Sequence, residues 1–262
     1  MIPLRDDQPR TTTPYVNYSI IAINLAVFGF EVWSRFNDPQ ALRFFFARYA
    51  EVPHHFQVAF SGSSEFTVGA VFLTIFTSMF MHGGWLHLLG NMWFLWIFGD
   101  NIEDHLGHAV YPIFYLLCGV LASMAHIYAN PDSNLPTLGA SGAIAGVMGA
   151  FLLRYPQARV QVLWTWIGYR VFWMPALGML FYWFALQLVG QAWVQYVSSR
   201  THQQVGGVAY WAHLGGFVTG MILIKVIPSR TEYNYGAWTK KEAPAVAVAA
   251  SANQSSGSQP VH

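Results

Sequence analysis

The stretch Gly139-Ala140-Ser141-Gly142-Ala143-Ile144-Ala145-Gly146 places one hydroxyl among small residues at the start of an apolar run. Its small side chains recur four apart, as Ser141/Ala145 and Gly142/Gly146, a spacing that lets membrane helices approach closely. The same spacing returns at Gly216/Gly220 in the last apolar run. The stretch reads as a tightly packed membrane helix with a polar group at its entrance. Taken alone, that hydroxyl fits a packing residue as well as a nucleophile.

Composition puts this stretch in a bilayer. Charged residues are 10% of the chain, against about 25% in an average soluble domain. Hydrophobic residues reach 54% and aromatics 17%, too much to cover with a charged, soluble surface. The formal net charge is +1 and no basic block is present, so nucleic acid is not an expected partner. The single cysteine, Cys118, lies in an apolar run. It can form no internal disulfide and reads as a buried, inert thiol.

Taken in order, residues 1–14 are polar and carry Pro3, Pro9 and Pro14, which predicts a flexible cytoplasmic tail. Residues 15–33 are the first span, with no small-residue cleavage site behind them. Residues 34–81 form a long connection. Phe44-Phe45-Phe46 beside Arg43 and Arg48 has an interfacial composition, and 71–81 is apolar but too short to cross a core of about 30 Å. A partly inserted loop is expected there. The second span is 85–98, followed by a polar turn with Asp100, Glu103 and Asp104. Residues 111–128 are the third span, 138–153 the fourth, 173–191 the fifth and 207–227 the sixth. Trp164, Trp166, Tyr169 and Arg170 resemble an interfacial aromatic belt. From 229 onward Ala, Ser, Gln and Pro dominate, which predicts a disordered cytoplasmic tail. The expected fold is an all-α polytopic bundle of six transmembrane helices over 15–228.

An even number of spans puts both termini on one side. That side holds Arg5, Arg10, Arg154, Arg159, Arg170, Lys225, Arg230, Lys240 and Lys241, and the other holds Arg35, Arg43, Arg48 and Arg200. The excess predicts cytoplasmic termini. Ser141 then lies near the external face, within the membrane.

Polar side chains at membrane depth are costly and point to function. His87 and Asn91 are four apart on the second span and share a helix face. Ser141 opens the fourth span, and His213 lies near the start of the sixth. These three spans run in the same direction, so the groups fall at similar depth and can form one site. The chemistry that fits is attack by Ser141 with His213 as general base. His87, Asn91 and the Ser141 amide would then donate to a developing oxyanion. No acidic residue is placed to complete a triad, so a dyad is expected. His82, His87 and His213 match no helical pair of histidine metal ligands at i, i+4, and neither metal nor cofactor is expected.

At this point the chain resembles the rhomboid intramembrane serine proteases of bacterial type. The residues that carry the resemblance are His82, His87 and Asn91, then Gly139-Ala140-Ser141-Gly142, then Ala212-His213, Gly216 and Gly220, together with the turn 98–104. It covers roughly residues 15–228. The resemblance implies Ser141 as nucleophile, His213 as base, and His87 and Asn91 in the oxyanion site. It further implies Gly139 as the residue shaping the loop into the fourth span, and His82 as support for a polar, watered cavity. Substrates would be transmembrane segments of other proteins in the lipid bilayer, and residence would be a bacterial plasma membrane. Two positions depart from the family. The first loop lacks its Trp-Arg pair, and Ala145 stands where many members carry an aromatic that supports the histidine. An aromatic from another span is the expected substitute. The alternative reading is a non-catalytic rhomboid-like binder of membrane proteins. A transporter is disfavoured, since the two halves show no internal symmetry.

Overall fold

The computed structural model describes residues 1–165, 168–201 and 207–228. The tail predicted from 229 onward lies outside the described residues, as does Trp166 of the expected aromatic belt. The described part is mostly helical, as expected of a polytopic membrane bundle, with one small sheet. In chain order it runs β1 (Ile2–Asp6), α1 (Tyr15–Asn37), α2 (Pro39–Tyr49), α3 (Pro53–Phe60) and α4 (Val68–Ser78). There follow α5 (Trp85–Leu106), α6 (Tyr111–Ala129), α7 (Ser141–Arg154), β2 (Arg159–Trp164), β3 (Arg170–Pro175), α8 (Ala176–Thr201) and α9 (Tyr210–Val226).

Among the described residues three helices, α1, α6 and α8, are long and apolar enough to cross a membrane. Large apolar side chains on them face outward, among them Phe30, Trp33, Ile113, Leu117, Phe181 and Leu188. A soluble monomer rarely exposes so much contiguous apolar surface. Lipid is the solvent that such faces require.

The centre of the bundle is α7. Its residues from Gly142 to Phe151 are all buried, enclosed by α6, α9 and α5. The glycines explain how α7 and α9 come so close. A Cβ added at Gly220 would collide with the carbonyl oxygen of Gly146, and one at Gly216 with that of Gly142. The backbones therefore touch where side chains ordinarily intervene, as the small-residue spacing predicts.

The N-terminal segment is not the free tail that its composition suggests. β1 pairs antiparallel with β2, and β2 with β3, in the order β1-β2-β3. An irregularity between Pro3 and Arg5 interrupts the first ladder, consistent with a proline that cannot donate. The Trp93 indole N–H donates to the Pro3 carbonyl at 2.6 Å. Its partners are far away in sequence, so no local pattern announces the strand.

The polar turn expected after the second span is also helical. α5 continues to Leu106, and Glu103 and Asp104 are buried in its last turn. Partners from the N-terminal segment make this tolerable. Glu103 accepts from the Val16 and Asn17 amides at 3.0 and 2.7 Å, satisfying N–H groups that the start of α1 leaves without intrahelical acceptors. Asp104 accepts from the Thr11 and Thr12 amides at 2.8 and 2.9 Å. The long first connection holds the short helices α2, α3 and α4. Val71 and Ile75 of α4 pack on Phe56 and Ala59 of α3 as a separate small core.

Candidate active site

The loop between α6 and α7 delivers Ser141. Glu51 and Thr137 exchange backbone hydrogen bonds at 3.2 and 2.7 Å, and the Gly139 amide donates to the Ser78 carbonyl at 2.8 Å. The first connection thereby pins the loop from one side. Gly139 has φ +117, a left-handed conformation natural to glycine. A side chain there would also meet the His87 ring, 2.7 Å from the built Cβ. Ser141 is the first residue of α7, so its amide belongs to the helix end whose N–H groups have no intrahelical acceptor.

Ser141, His87, Asn91 and His213 all line one cavity of about 200 Å³. Leu86, Phe94, Ile144, Met148 and Trp183 form its apolar walls. Ser141 also lines a second cavity of about 20 Å³ together with Ser78, Ser123 and Thr137, space for about one water molecule. His82 is not in the larger cavity. It sits fully buried behind it, with its Nε2 2.9 Å from Asn91 Nδ2. An amide nitrogen only donates, so His82 accepts, and this leaves Asn91 with one fixed N–H. The His82 amide in turn donates to the Glu31 carboxylate of α1 at 3.3 Å. The His82 and His87 rings meet edge to face at 5.1 Å between centroids.

Ala145 is fully buried, and the ring beside His213 comes from elsewhere. Trp183 of α8 lies with its centroid 5.7 Å from that of His213, tilted by 34°. The ring beside the histidine thus comes from another span, in place of an aromatic at position 145. A second neighbour was not expected: Gln187 Oε1 lies 2.8 Å from His213 Nδ1. Gln187 carries no motif spacing. The signal that points to it is an amide in an otherwise apolar helix, a polar group at membrane depth. Gly216 and Gly220 lie on α9 in the backbone contact with α7 described above, which brings His213 and Ser141 to one cavity.

Two further histidines, His105 and His126, take structural roles. His105 is buried and accepts from Arg154 Nε at 3.0 Å, and His126 meets Thr137 Oγ1 at 3.1 Å. Among the described residues no group of three or more His, Cys, Asp or Glu side chains is arranged to hold a metal ion.

Comparison with known proteins adds the family. A family model described as Rhomboid domain matches residues 69–230 of the 262, a range that contains every candidate site residue. The chain is similar to Rhomboid protein 1, mitochondrial, of Saccharomyces cerevisiae, at 26% identity over 78% of this chain and 51% of that protein. It is similar to Rhomboid-like protein 11, chloroplastic, of Arabidopsis thaliana, at 30% identity over 56% of this chain and 50% of that protein. RHOMBOID-like protein 1 of Arabidopsis thaliana is 26% identical over 85% of this chain and 55% of its own length. The chain spans about half the length of these curated relatives.

Proposed function

The chain belongs to the rhomboid family, and we propose that it is an intramembrane serine endopeptidase that cuts transmembrane segments of other membrane proteins. The observation that carries this reading is the convergence of Ser141, His213, His87 and Asn91 on one cavity. We read α1, α5, α6, α7, α8 and α9 as six spans. With 14 residues, α7 rises about 21 Å, less than a hydrocarbon core of about 30 Å. If its far end reaches one interface, Ser141 at its start falls inside the bilayer.

In this reading Ser141 Oγ attacks the scissile carbonyl while His213 Nε2 takes its proton. The oxyanion that forms is met by the Ser141 amide, His87 and Asn91. The C–N bond then breaks and His213 returns the proton to the leaving amine. Water, activated by the same imidazole, hydrolyses the acyl-enzyme and frees Ser141. Gly139 keeps the loop close to the oxyanion donors, His82 fixes the Asn91 amide, and Gly216 and Gly220 keep α9 against α7. The Lys/Arg asymmetry supports cytoplasmic termini, and the residence we propose is a bacterial plasma membrane. The names of two relatives place those proteins in mitochondria and chloroplasts, and fractionation of the producing cell distinguishes these residences.

The test is labelling by a serine-reactive phosphonate together with cleavage of a model transmembrane substrate, in detergent. Wild type labels and cuts; Ser141→Ala and His213→Ala do neither. A wild-type protein that does neither, yet co-purifies with transmembrane segments, is the rhomboid-like binder instead.

A further inference from the structure

Gln187 is the only buried residue of α8 beyond Leu180, with 8% of its surface exposed. Its neighbours Leu186, Leu188 and Val189 are exposed and apolar. Burying an amide without partners is unfavourable by a few kcal/mol, so its two polar atoms identify its role. The Nε2 group donates to the Trp183 carbonyl one turn back, at 3.4 Å. A carbonyl only accepts, which orients the amide and leaves Oε1 facing His213 Nδ1 at 2.8 Å. Oε1 is itself only an acceptor. The hydrogen between them therefore sits on Nδ1, and the basic lone pair of the imidazole is on Nε2.

From this we propose that Gln187 is the positioning residue of His213. It holds the imidazole in the tautomer with Nε2 free for the Ser141 proton, the task an acidic residue performs in a serine triad. The inference rests on the protease reading for its kinetic consequence, but not for the tautomer. A neutral amide suits this place, since an unpaired carboxylate at membrane depth is costly. Trp183, one turn from Gln187 on the same face of α8, closes the side of the ring. Both contacts come from α8, whose most apolar stretch is only 11% buried, against 28% for α1 and 33% for α6. The base is thus held by the helix least packed into the bundle among these three.

Selective 15N-histidine labelling, with His213→Ala to assign the signal, reads the tautomer in full-length protein in detergent. Wild type is expected to show a protonated Nδ1 and an unprotonated Nε2 for His213. In Gln187→Met, which keeps the shape and removes the acceptor, that pattern collapses to a mixture or inverts. On a model transmembrane substrate, kcat falls about 100-fold with KM within about twofold, the scale of a misplaced catalytic group. Gln187→Glu, which keeps an acceptor facing Nδ1, restores the tautomer and recovers kcat to within about tenfold of wild type. An unchanged tautomer and kcat in Gln187→Met overturn the proposal. So does a loss of kcat in Gln187→Met that Gln187→Glu fails to recover while both variants keep the wild-type Tm. If wild type turns over no substrate at all, the protease reading falls, and the tautomer comparison alone still decides the role of Gln187.

Discussion

Asn91 Nδ2 lies 2.9 Å from His82 Nε2, a contact between a residue facing the cavity and one fully buried behind it. Because His82 can only accept here, the pair behaves as one unit in which His82 sets where the second Asn91 N–H points. Asn91→Ala is expected to lower kcat about 100-fold, the usual loss for one oxyanion donor. His82→Ala should cost about tenfold, since Asn91 remains but is free to rotate. The double variant should be no worse than Asn91→Ala, a non-additivity typical of groups acting together. Steady-state cleavage of a model transmembrane substrate gives all three values.

The contact between α7 and α9 predicts an unusual sensitivity to a single methyl. Gly220→Ala places a Cβ against the Gly146 carbonyl, which cannot move without shifting α7. A cost of about 3 kcal/mol is expected, at the upper end for overpacking, with a Tm lower by about 10 °C and phosphonate labelling of Ser141 lost. Gly29→Ala on α1, where nothing lies within 4 Å, is the control and should leave Tm unchanged.

Glu103 ties the end of α5 to the start of α1, accepting from two backbone amides and from His108 Nδ1 at 2.6 Å. Glu103→Ala leaves those amides unpaired in a buried setting and should destabilise the protein by about 2–3 kcal/mol. Glu103→Gln keeps one acceptor oxygen and should lose about half as much. Thermal unfolding in detergent measures both.

The N-terminal strand carries a pH dependence of its own. Burial, aided by the nearby Asp100 carboxylate, pushes the Asp6 carboxyl up to about 7 from an ordinary 3.8. The folded state then favours the protonated acid more than the unfolded chain does. Its contribution to stability is lowest above pH 7 and rises as pH falls through 7 toward 4. Asp6→Asn removes the charge and should raise Tm at pH 8 but change it little at pH 4.5. An equal shift at both pH values contradicts this assignment.

The sequence by itself determined a helical membrane bundle, because low charge and long apolar runs leave a chain no other way to satisfy its backbone. It also determined the candidate site residues Ser141, His87, Asn91 and His213, because polar groups at one depth on similarly directed helices stand out against lipid-facing neighbours. Gly216 and Gly220 were legible for the same reason, since spacing on one helix is local information. The tertiary structure alone decided what those residues lean on. The strand at Ile2–Asp6 exists because of a partner near residue 160, and the last turn of α5 stays helical because the start of α1 caps its carboxylates. Ala145 shows the limit most clearly. The sequence says only that a supporting ring is missing there, while packing α8 on α9 supplies Trp183 and Gln187 to His213. Contacts between side chains far apart in the chain leave no period in the sequence, so such partners become visible only once the helices are packed.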